Sequence, residues 1–184
     1  MTKMKITKPF KKADVLMITQ GFHMEHRALD WFPRRGKLAY GTPLVAPERV
    51  LIEKIYGNNL TNNDAELING YGVWMQGLET GYKHLYWHTL PILPVSSGDT
   101  VERGKIVAYC GNSGNVESGG SYVPISERLN KPHLGTHLHQ SVFENGVSFD
   151  PLTIMDMSTE PTYTLFDFIK AFTEVLARIT KLIS

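Results

Sequence analysis

Two histidines placed two residues apart give this chain its clearest chemical signal. The segment Gly135-Thr136-His137-Leu138-His139 has the alternation of a strand, so His137 and His139 share one face while Leu138 faces the core. Imidazoles in this position can bind a metal ion or transfer a proton. A lone pair of this kind is more often structural, so a functional interpretation depends on other residues in the chain.

A second cluster, His26-Arg27-Ala28-Leu29-Asp30, lies far upstream. An imidazole and a carboxylate four residues apart can share one face of either a helix or a strand. Together with one histidine of the downstream pair, they would supply two nitrogen ligands and one oxygen ligand. Three protein ligands with a fourth position left for water are typical of a catalytic zinc site.

Length and composition restrict the class of protein. A chain of 184 residues fits one domain with a sizeable core. Its formal net charge of +1 gives no reason to expect nucleic acid as a partner. The single cysteine, Cys110, excludes an internal disulfide and a cysteine-rich zinc finger, and its apolar neighbours indicate a buried thiol.

The N-terminal segment is basic, because five lysines precede the first acidic residue, Asp14. We expect residues 1–13 to form a solvated tail, with contact to an anionic surface as the alternative. Polar residues interrupt the stretch that follows, so we expect no signal peptide, and no apolar run is long enough for a membrane span. These features predict synthesis in the cytoplasm.

Short β-type runs separated by turn residues dominate residues 14–158, without long amphipathic helices between them. This pattern predicts an antiparallel, all-β domain rather than a parallel βαβ architecture. Turns are predicted at residues 77–81 and at Asn145-Gly146. Strands are predicted near residues 14–19, 49–56, 72–76, 82–88, 105–110 and 137–143.

Two further segments have distinct patterns. Residues 118–134 form a long polar insertion, which we expect either to line a cleft or to be an ordinary surface loop. Residues 162–183 repeat apolar positions at helical spacing and predict an amphipathic helix within a C-terminal segment, 159–184. This helix is expected to dock on its own domain, to mediate self-association or virion docking, or, less favoured because its polar face has mixed charge, to bind a membrane surface.

Several motifs resemble those of the lysostaphin-type (LytM-like) zinc endopeptidases, which cut peptidoglycan cross-bridges. Residues 26–30 resemble the first ligand motif of this family, and residues 41–47 resemble the segment after it. Tyr86-Trp87-His88 resembles the Tyr-x-His strand, and residues 98–105 resemble the Gly-Asp-x-Val-x-x-Gly turn. Gly111-Asn112-Ser113-Gly114 and His137-Leu138-His139 complete the order, so the match covers about residues 20–152.

This resemblance implies an antiparallel β-sheet or sandwich of the lysostaphin type (the duplicated hybrid motif) with long loops. It implies one Zn²⁺ ion per chain, bound by His26, Asp30 and His139. It also implies that His88 and His137 are catalytic, one as general base and one stabilising the oxyanion, in either assignment. The expected reaction is hydrolysis of peptide cross-bridges in bacterial peptidoglycan. A phage lysin or a virion-borne subunit, acting at the cell wall, is favoured.

Three features depart from the family pattern: the insertion 118–134, Gln140 where an aromatic residue is common, and the C-terminal helix. The first two are expected to affect specificity. Among the other histidines, we expect His23 and His84 to be surface or strand residues, and His133 to be a candidate substrate contact.

The alternative function is a non-enzymatic carrier or a structural assembly module, because residues 98–114 also resemble the hammerhead of biotinyl and lipoyl domains. Such a carrier needs a modifiable lysine at an exposed hairpin tip, and the sequence offers no convincing one. It also has no use for five convergent polar residues.

Overall fold

The computed structural model describes residues 5–10, 16–33, 40–57, 69–158 and 164–183. The strands are β1 (Ile6–Thr7), β2 (Leu16–Gln20), β3 (Leu29–Pro33), β4 (Pro43–Val45), β5 (Val50–Tyr56), β6 (Tyr71–Gly77), β7 (Lys83–Thr89), β8 (Thr100–Val101), β9 (Ile106–Tyr109), β10 (Glu117–Ser118), β11 (Ser121–Tyr122), β12 (Leu138–Glu144), β13 (Val147–Phe149) and β14 (Met155–Asp156). The helices are α1 (Ile125–Asn130) and α2 (Leu165–Ile183), and a 3-10 turn spans Pro151–Thr153.

The main sheet is antiparallel and has eight strands in the order β2-β3-β12-β7-β6-β5-β8, with β13 also paired to β12. Residues alternate between its two faces, as the central strand β12 shows. Leu138, Gln140 and Val142 are fully buried, whereas His139 is only partly buried. One face therefore packs on the core, and the other is available for a site.

The core lies between this sheet and two short strand pairs, antiparallel β4–β9 and parallel β1–β14. Tyr86 links the layers, because its ring is fully buried and its hydroxyl donates to the carbonyl of Val45 at 3.0 Å. The predicted antiparallel, mostly β fold is thus confirmed. Strands occur at all six predicted places, although residues 14 and 15 lie outside the described part of the chain.

The sequence prediction missed β3 and β4. Both strands are short, and each has a proline at one end, Pro33 in β3 and Pro43 in β4. Proline cannot donate a ladder hydrogen bond, and strand patterns treat it as an interruption. Cross-strand pairing nevertheless places β3 next to β12, where it carries one of the predicted site residues.

Both predicted turns are present. Asn145 and Gly146 have positive φ angles of 51° and 80°, as a tight hairpin requires. The turn between β6 and β7 is held by the fully buried Glu48, whose carboxylate accepts from the amides of Glu79 and Thr80, each at 2.9 Å. His84 lies on β7 and is fully buried, and its Nε2 atom also contacts Glu48, at 2.8 Å, which offsets the cost of burying a polar ring.

The expected solvated tail is wrong for residues 5–10. Ile6 and Phe10 are fully buried, Ile6 pairs with Met155, and Lys8 is only 7% exposed. Burial of the two apolar side chains outweighs the preference of the lysines for water. The other residues of 1–13 lie outside the described residues, and the division of the chain at residues 13 and 158 stays a prediction.

The predicted C-terminal helix is confirmed as α2, with residues 162 and 163 outside the described part. A reciprocal cap begins it, since Thr164 N donates to Asp167 Oδ2 at 2.8 Å and Asp167 N donates to Thr164 Oγ1 at 3.2 Å. Ala171 and Val175 pack beside Val45, and the predicted docking is therefore present. Across the described ranges, no helix has the length and apolar character needed to cross a membrane.

Candidate metal centre

Strand pairing brings the two sequence clusters together on the open face of the sheet. Asp30 on β3 is the register partner of His139 on β12, and His139 is also the partner of Trp87 on β7. On the core face beneath them, Trp31 Nε1 donates to Gln140 Oε1 at 2.7 Å. This buried hydrogen bond fixes β3 against β12, and so sets the separation of the carboxylate and the imidazole.

His26, Asp30 and His139 could hold a metal ion, because their ligand atoms all lie within 4.8 Å of one another. Asp30 Oδ1 lies 3.3 Å from His26 Nε2 and 3.0 Å from His139 Nδ1. His26 Nε2 and Asp30 Oδ1 are buried and form no well-aligned hydrogen bond with the described residues. Buried polar atoms are rarely left unsatisfied, so this arrangement fits a cation that all three residues bind.

The other ring nitrogen of His26 is held by the main chain. His26 Nδ1 lies 3.1 Å from the carbonyl oxygen of Gly21, and donation there leaves Nε2 as the acceptor facing Asp30. Reciprocal main-chain hydrogen bonds between His23 and His26, of 2.9 and 3.1 Å, fix the turn. A metal-binding histidine commonly has its second nitrogen held in this way.

His88 and His137 form a second pair beside this group, with ring centroids 4.5 Å apart. In each ring, Nδ1 lies next to a main-chain carbonyl oxygen. For His88 it is the oxygen of Ser113, at 2.7 Å, and for His137 it is the oxygen of Gly135, at 2.9 Å. Donation there leaves both Nε2 atoms as acceptors, and His137 Nε2 lies 3.9 Å from Asp30 Oδ2. The structure thus brings all five predicted site residues together, while their individual roles stay predictions.

The backbone at His88 is strained, since its φ angle is +60°. Residues other than glycine rarely occupy this region, at a cost on the order of 1–3 kcal/mol, and such residues are concentrated at functional sites. His88 lies one residue before the end of β7. In a regular strand the alternation of side chains would set the direction of its ring, and the strained backbone departs from that alternation.

Burial and nearby charges set the ionisation of the site. Burial and, next, the neighbouring charge of His137 lower the pKa of His88 to about 3, although the hydrogen bond to the Ser113 carbonyl opposes this shift. Burial also lowers the pKa of His137, although the charge of Asp30 opposes this shift. For Asp30, burial favours a higher pKa, but the close contact with His139 and the charges of three histidines lower the pKa overall. At neutral pH the site therefore combines an anionic carboxylate with two neutral imidazoles that can accept protons.

The five residues line an open cleft of about 690 Å³. The insertion contributes Ser118, Gly119 and His133 to its wall, so the expectation that this segment lines a cleft is confirmed. The insertion is also more ordered than a plain loop, because it contains the β10–β11 hairpin and α1.

Gln140 is fully buried on the core face of β12 and bonded to Trp31, so it cannot contact a substrate directly. Any effect of this residue on specificity would have to act through the packing of β3 on β12.

Sequence reasoning missed the role of the loop 111–114, although its motif was apparent. This loop carries the Ser113 carbonyl that holds His88. Gly114 has a φ angle of +76°, and a Cβ atom there would lie 2.3 Å from the main-chain nitrogen of Gly70. The glycine in this motif could have indicated that two backbones approach closely. No sequence pattern indicates that His88 depends on this loop.

No family model and no curated protein matches the sequence. Solved structures do match its fold. A Pseudomonas aeruginosa protein described as a peptidase M23 is 21% identical with a TM-score of 0.56, over 84% of this chain and 51% of its own. The antimicrobial peptidase lysostaphin from Staphylococcus simulans is 18% identical with a TM-score of 0.54, over 86% of this chain and 61% of its own. Helicobacter pylori Csd3 is 14% identical with a TM-score of 0.54, over 92% of this chain and 38% of its own.

The chain therefore has the fold of the M23, lysostaphin-type peptidases. It spans about half the length of the Pseudomonas protein that it matches. At these identities the likeness shows the fold alone, and the chemistry of the chain depends on its own residues.

Proposed function

We propose that this chain is a zinc-dependent endopeptidase that hydrolyses peptide cross-bridges of bacterial peptidoglycan. The observation that carries the proposal is the convergence of His26, Asp30 and His139 in an open cleft, beside the pair His88 and His137. The fold shared with lysostaphin, an antimicrobial peptidase, supports the same reaction class.

The residues that would hold the ion are His26 through Nε2, Asp30 through its carboxylate and His139 through Nδ1, the imidazole atoms that face Asp30. Zinc bound by such a set acts as a Lewis acid towards a peptide carbonyl and lowers the pKa of water to near neutrality. The anionic state of Asp30 suits this role, because a carboxylate must be deprotonated to bind a metal ion.

The two remaining histidines supply proton transfer. His88 and His137 each have Nδ1 on a main-chain carbonyl, so Nε2 is the nitrogen left to act in the cleft. A neutral imidazole can take the proton of the attacking water through this atom and pass it to the leaving amine. Once Nε2 has taken up that proton, the imidazolium can donate a hydrogen bond and stabilise the developing oxyanion. The geometry is compatible with both roles and does not determine which of His88 and His137 has which.

Zymography on purified peptidoglycan tests the proposal, with a chelator added or omitted and with His26→Ala and His23→Ala compared. His23 is an exposed histidine outside the ligand group, which makes it the matched control. We expect clearing by the wild type and His23→Ala, and none with the chelator or with His26→Ala. Absence of chelator-sensitive clearing on walls of every cross-bridge type would contradict the proposal. Action at the cell wall and a phage-type origin stay predictions.

We also propose that α2 mediates self-association. Leu165, Ile169, Phe172 and Leu176 lie at helical spacing and are 75%, 52%, 50% and 48% exposed. Such a stripe of apolar side chains is typical of a helix that packs on another protein surface. Docking to a virion component is the competing use of the same stripe.

A further inference from the structure

The wall of the cleft is tied to the loop that holds His88. We call residues 111–114 the support loop, because the carbonyl oxygen of Ser113 accepts from His88 Nδ1 at 2.7 Å. On the sheet side, Ser113 Oγ donates to the carbonyl of Thr89 at 2.8 Å and accepts from Tyr71 N at 2.9 Å. The support loop therefore has one set of anchors in the β-sheet.

The second set of anchors comes from the insertion. Arg128 on α1 donates from Nη1 to the carbonyl of Asn112 at 2.5 Å and also to the carbonyl of Gly114. Asn112 and Gly114 lie on either side of Ser113, whose carbonyl accepts from His88. A single guanidinium nitrogen of Arg128 therefore bridges the two carbonyls next to the one that holds His88. Arg128 is only 3% exposed. Because burying a charged group is costly unless it is well bonded, the burial of Arg128 depends on contacts such as these two hydrogen bonds.

The support loop also touches the other catalytic candidate. Gly111 forms an isolated antiparallel bridge with His137. Asn112 Nδ2 donates to the carbonyls of Pro132 and Leu134, at 3.2 and 3.1 Å, and so ties the loop to the end of the insertion. Wall, support loop and histidine pair are thus connected by consecutive hydrogen bonds.

We infer that Arg128 is a positioning residue for His88. By bridging the carbonyls on either side of Ser113, Arg128 fixes the direction of the Ser113 carbonyl. That carbonyl holds the His88 proton on Nδ1 and leaves Nε2 for the cleft. The catalytic part of this inference rests on the proposed peptidase function, whereas the structural part, the tautomer of His88, does not.

Two measurements on the full-length chain test the inference. The first is the ¹⁵N NMR signature of the His88 ring, which reports the nitrogen that carries the proton. The second is the separation of kcat from KM on a soluble cross-linked muropeptide. The variants are Arg128→Ala and Arg128→Lys. The control is Lys131→Ala, which removes an exposed cation of the same insertion that pairs with Glu127 at 3.0 Å.

We expect wild type and Lys131→Ala to show His88 protonated at Nδ1, and Arg128→Ala to show a mixture of tautomers. We expect kcat of Arg128→Ala to fall by about 10²-fold, the order of loss for a catalytic group misplaced by about 1 Å, with KM little changed. Added guanidinium should restore part of the kcat that Arg128→Ala loses. The kcat of Arg128→Lys should lie between those of the wild type and Arg128→Ala.

An unchanged His88 tautomer in Arg128→Ala would overturn the inference, as would a change confined to KM. If Arg128→Ala fails to fold, the His88 tautomer and the kcat of Arg128→Lys decide instead. Wild-type values of both in Arg128→Lys would overturn the inference. If the wild type cleaves no muropeptide, the proposed function fails. The tautomer measurement still decides whether Arg128 positions His88.

Discussion

Close contact with Asp30 divides four histidines of the cleft into two pairs. His26 turns a buried, unsatisfied Nε2 towards Asp30, and His139 turns Nδ1 towards the same carboxylate, at 3.3 and 3.0 Å. His88 and His137 place Nδ1 on main-chain carbonyls, as His26 also does, but they pack against each other, and His137 Nε2 lies farther from Asp30, at 3.9 Å. The first arrangement suits holding a cation, and the second suits moving a proton.

This division predicts two different outcomes of substitution. His26→Ala, Asp30→Ala and His139→Ala should each lose bound zinc together with activity, because each removes a ligand atom. His88→Ala and His137→Ala should keep nearly stoichiometric zinc while turnover falls about 10²- to 10⁴-fold, the usual contribution of general acid–base catalysis. Zinc by atomic emission, measured beside the rate of wall lysis, checks both. Loss of zinc from His137→Ala with retention in His139→Ala would reverse the assignment within that pair.

At the scale of elements, buried polar contacts hold turns and loops that the apolar core does not reach. Glu48 fixes the turn between β6 and β7, and the Gly70–Gly114 contact seats the support loop against the chain before β6. Each contact has a consequence that a single substitution can isolate.

Glu48→Gln should destabilise the fold in a pH-dependent way. Burial favours a higher pKa for Glu48, but hydrogen bonds from His84 and Thr80 keep the pKa below the ordinary value of 4.5. A lowered folded-state pKa contributes stability above pH 4.5 that is lost as pH falls through the folded-state pKa. We expect a loss of about 3 kcal/mol in the free energy of unfolding at pH 7, as for a broken buried pair. The loss should shrink below pH 4.5.

Urea unfolding across a pH series measures this difference. Glu53→Gln is the control, because Glu53 forms a partly exposed pair with Lys83. A penalty for Glu48→Gln that stays constant from pH 7 to below 4.5 would show that the carboxylate charge is unimportant.

Gly114→Ala should lower the free energy of unfolding by more than the strain of a positive φ angle alone would. The left-handed conformation costs a non-glycine residue about 1–2 kcal/mol. Gly41→Ala should show only that cost, because Gly41 has a φ angle of +81° with open space around it. Gly114 has a similar φ angle of +76°, but a Cβ atom there would lie 2.3 Å from Gly70 N, so the support loop must also move.

We therefore expect Gly114→Ala to unfold at lower denaturant than Gly41→Ala and to lose most of its lytic activity. Equal midpoints for the two variants, with equal activity, would mean that the backbone contact is unimportant.

Alternation and turn residues were enough to predict the long strands, because those strands have one buried face. The short strands β3 and β4 were missed because proline stands at their ends. The five candidate site residues were recognised from ordered motifs, and the structure brings them together while their roles stay predictions. Arg128 was not, because a polar insertion gives no sign that one of its cations is buried against a distant loop.

At the scale of the whole molecule, α2 has two different apolar faces. Ala171 and Val175 pack on the domain, and Asp167 adds an ion pair to Lys105 at 2.7 Å. The stripe that includes Ile169 and Phe172 remains half exposed. The helix is thus attached to the domain by one side while it presents a second apolar side.

Phe172→Glu should abolish self-association without unfolding the domain. A charge in an apolar interface loses its hydration, whereas on the exposed side of α2 it costs the monomer little. Sedimentation velocity over a range of concentrations should show larger species for the wild type and a monomer for Phe172→Glu. Thr173→Glu, at an exposed position on the neighbouring polar side, is the control. A wild type that is monomeric at every concentration would contradict the proposal.

The parallel pairing of β1 with β14 also determines how this domain can be joined to other polypeptides. Ile6 lies beside Met155, so the chain enters and leaves the β-domain at neighbouring points on one edge. A unit whose ends lie together can be inserted into a loop of a larger host or circularly permuted with little distortion. The cleft and the residues that line it would then be kept together within one unit of a larger protein.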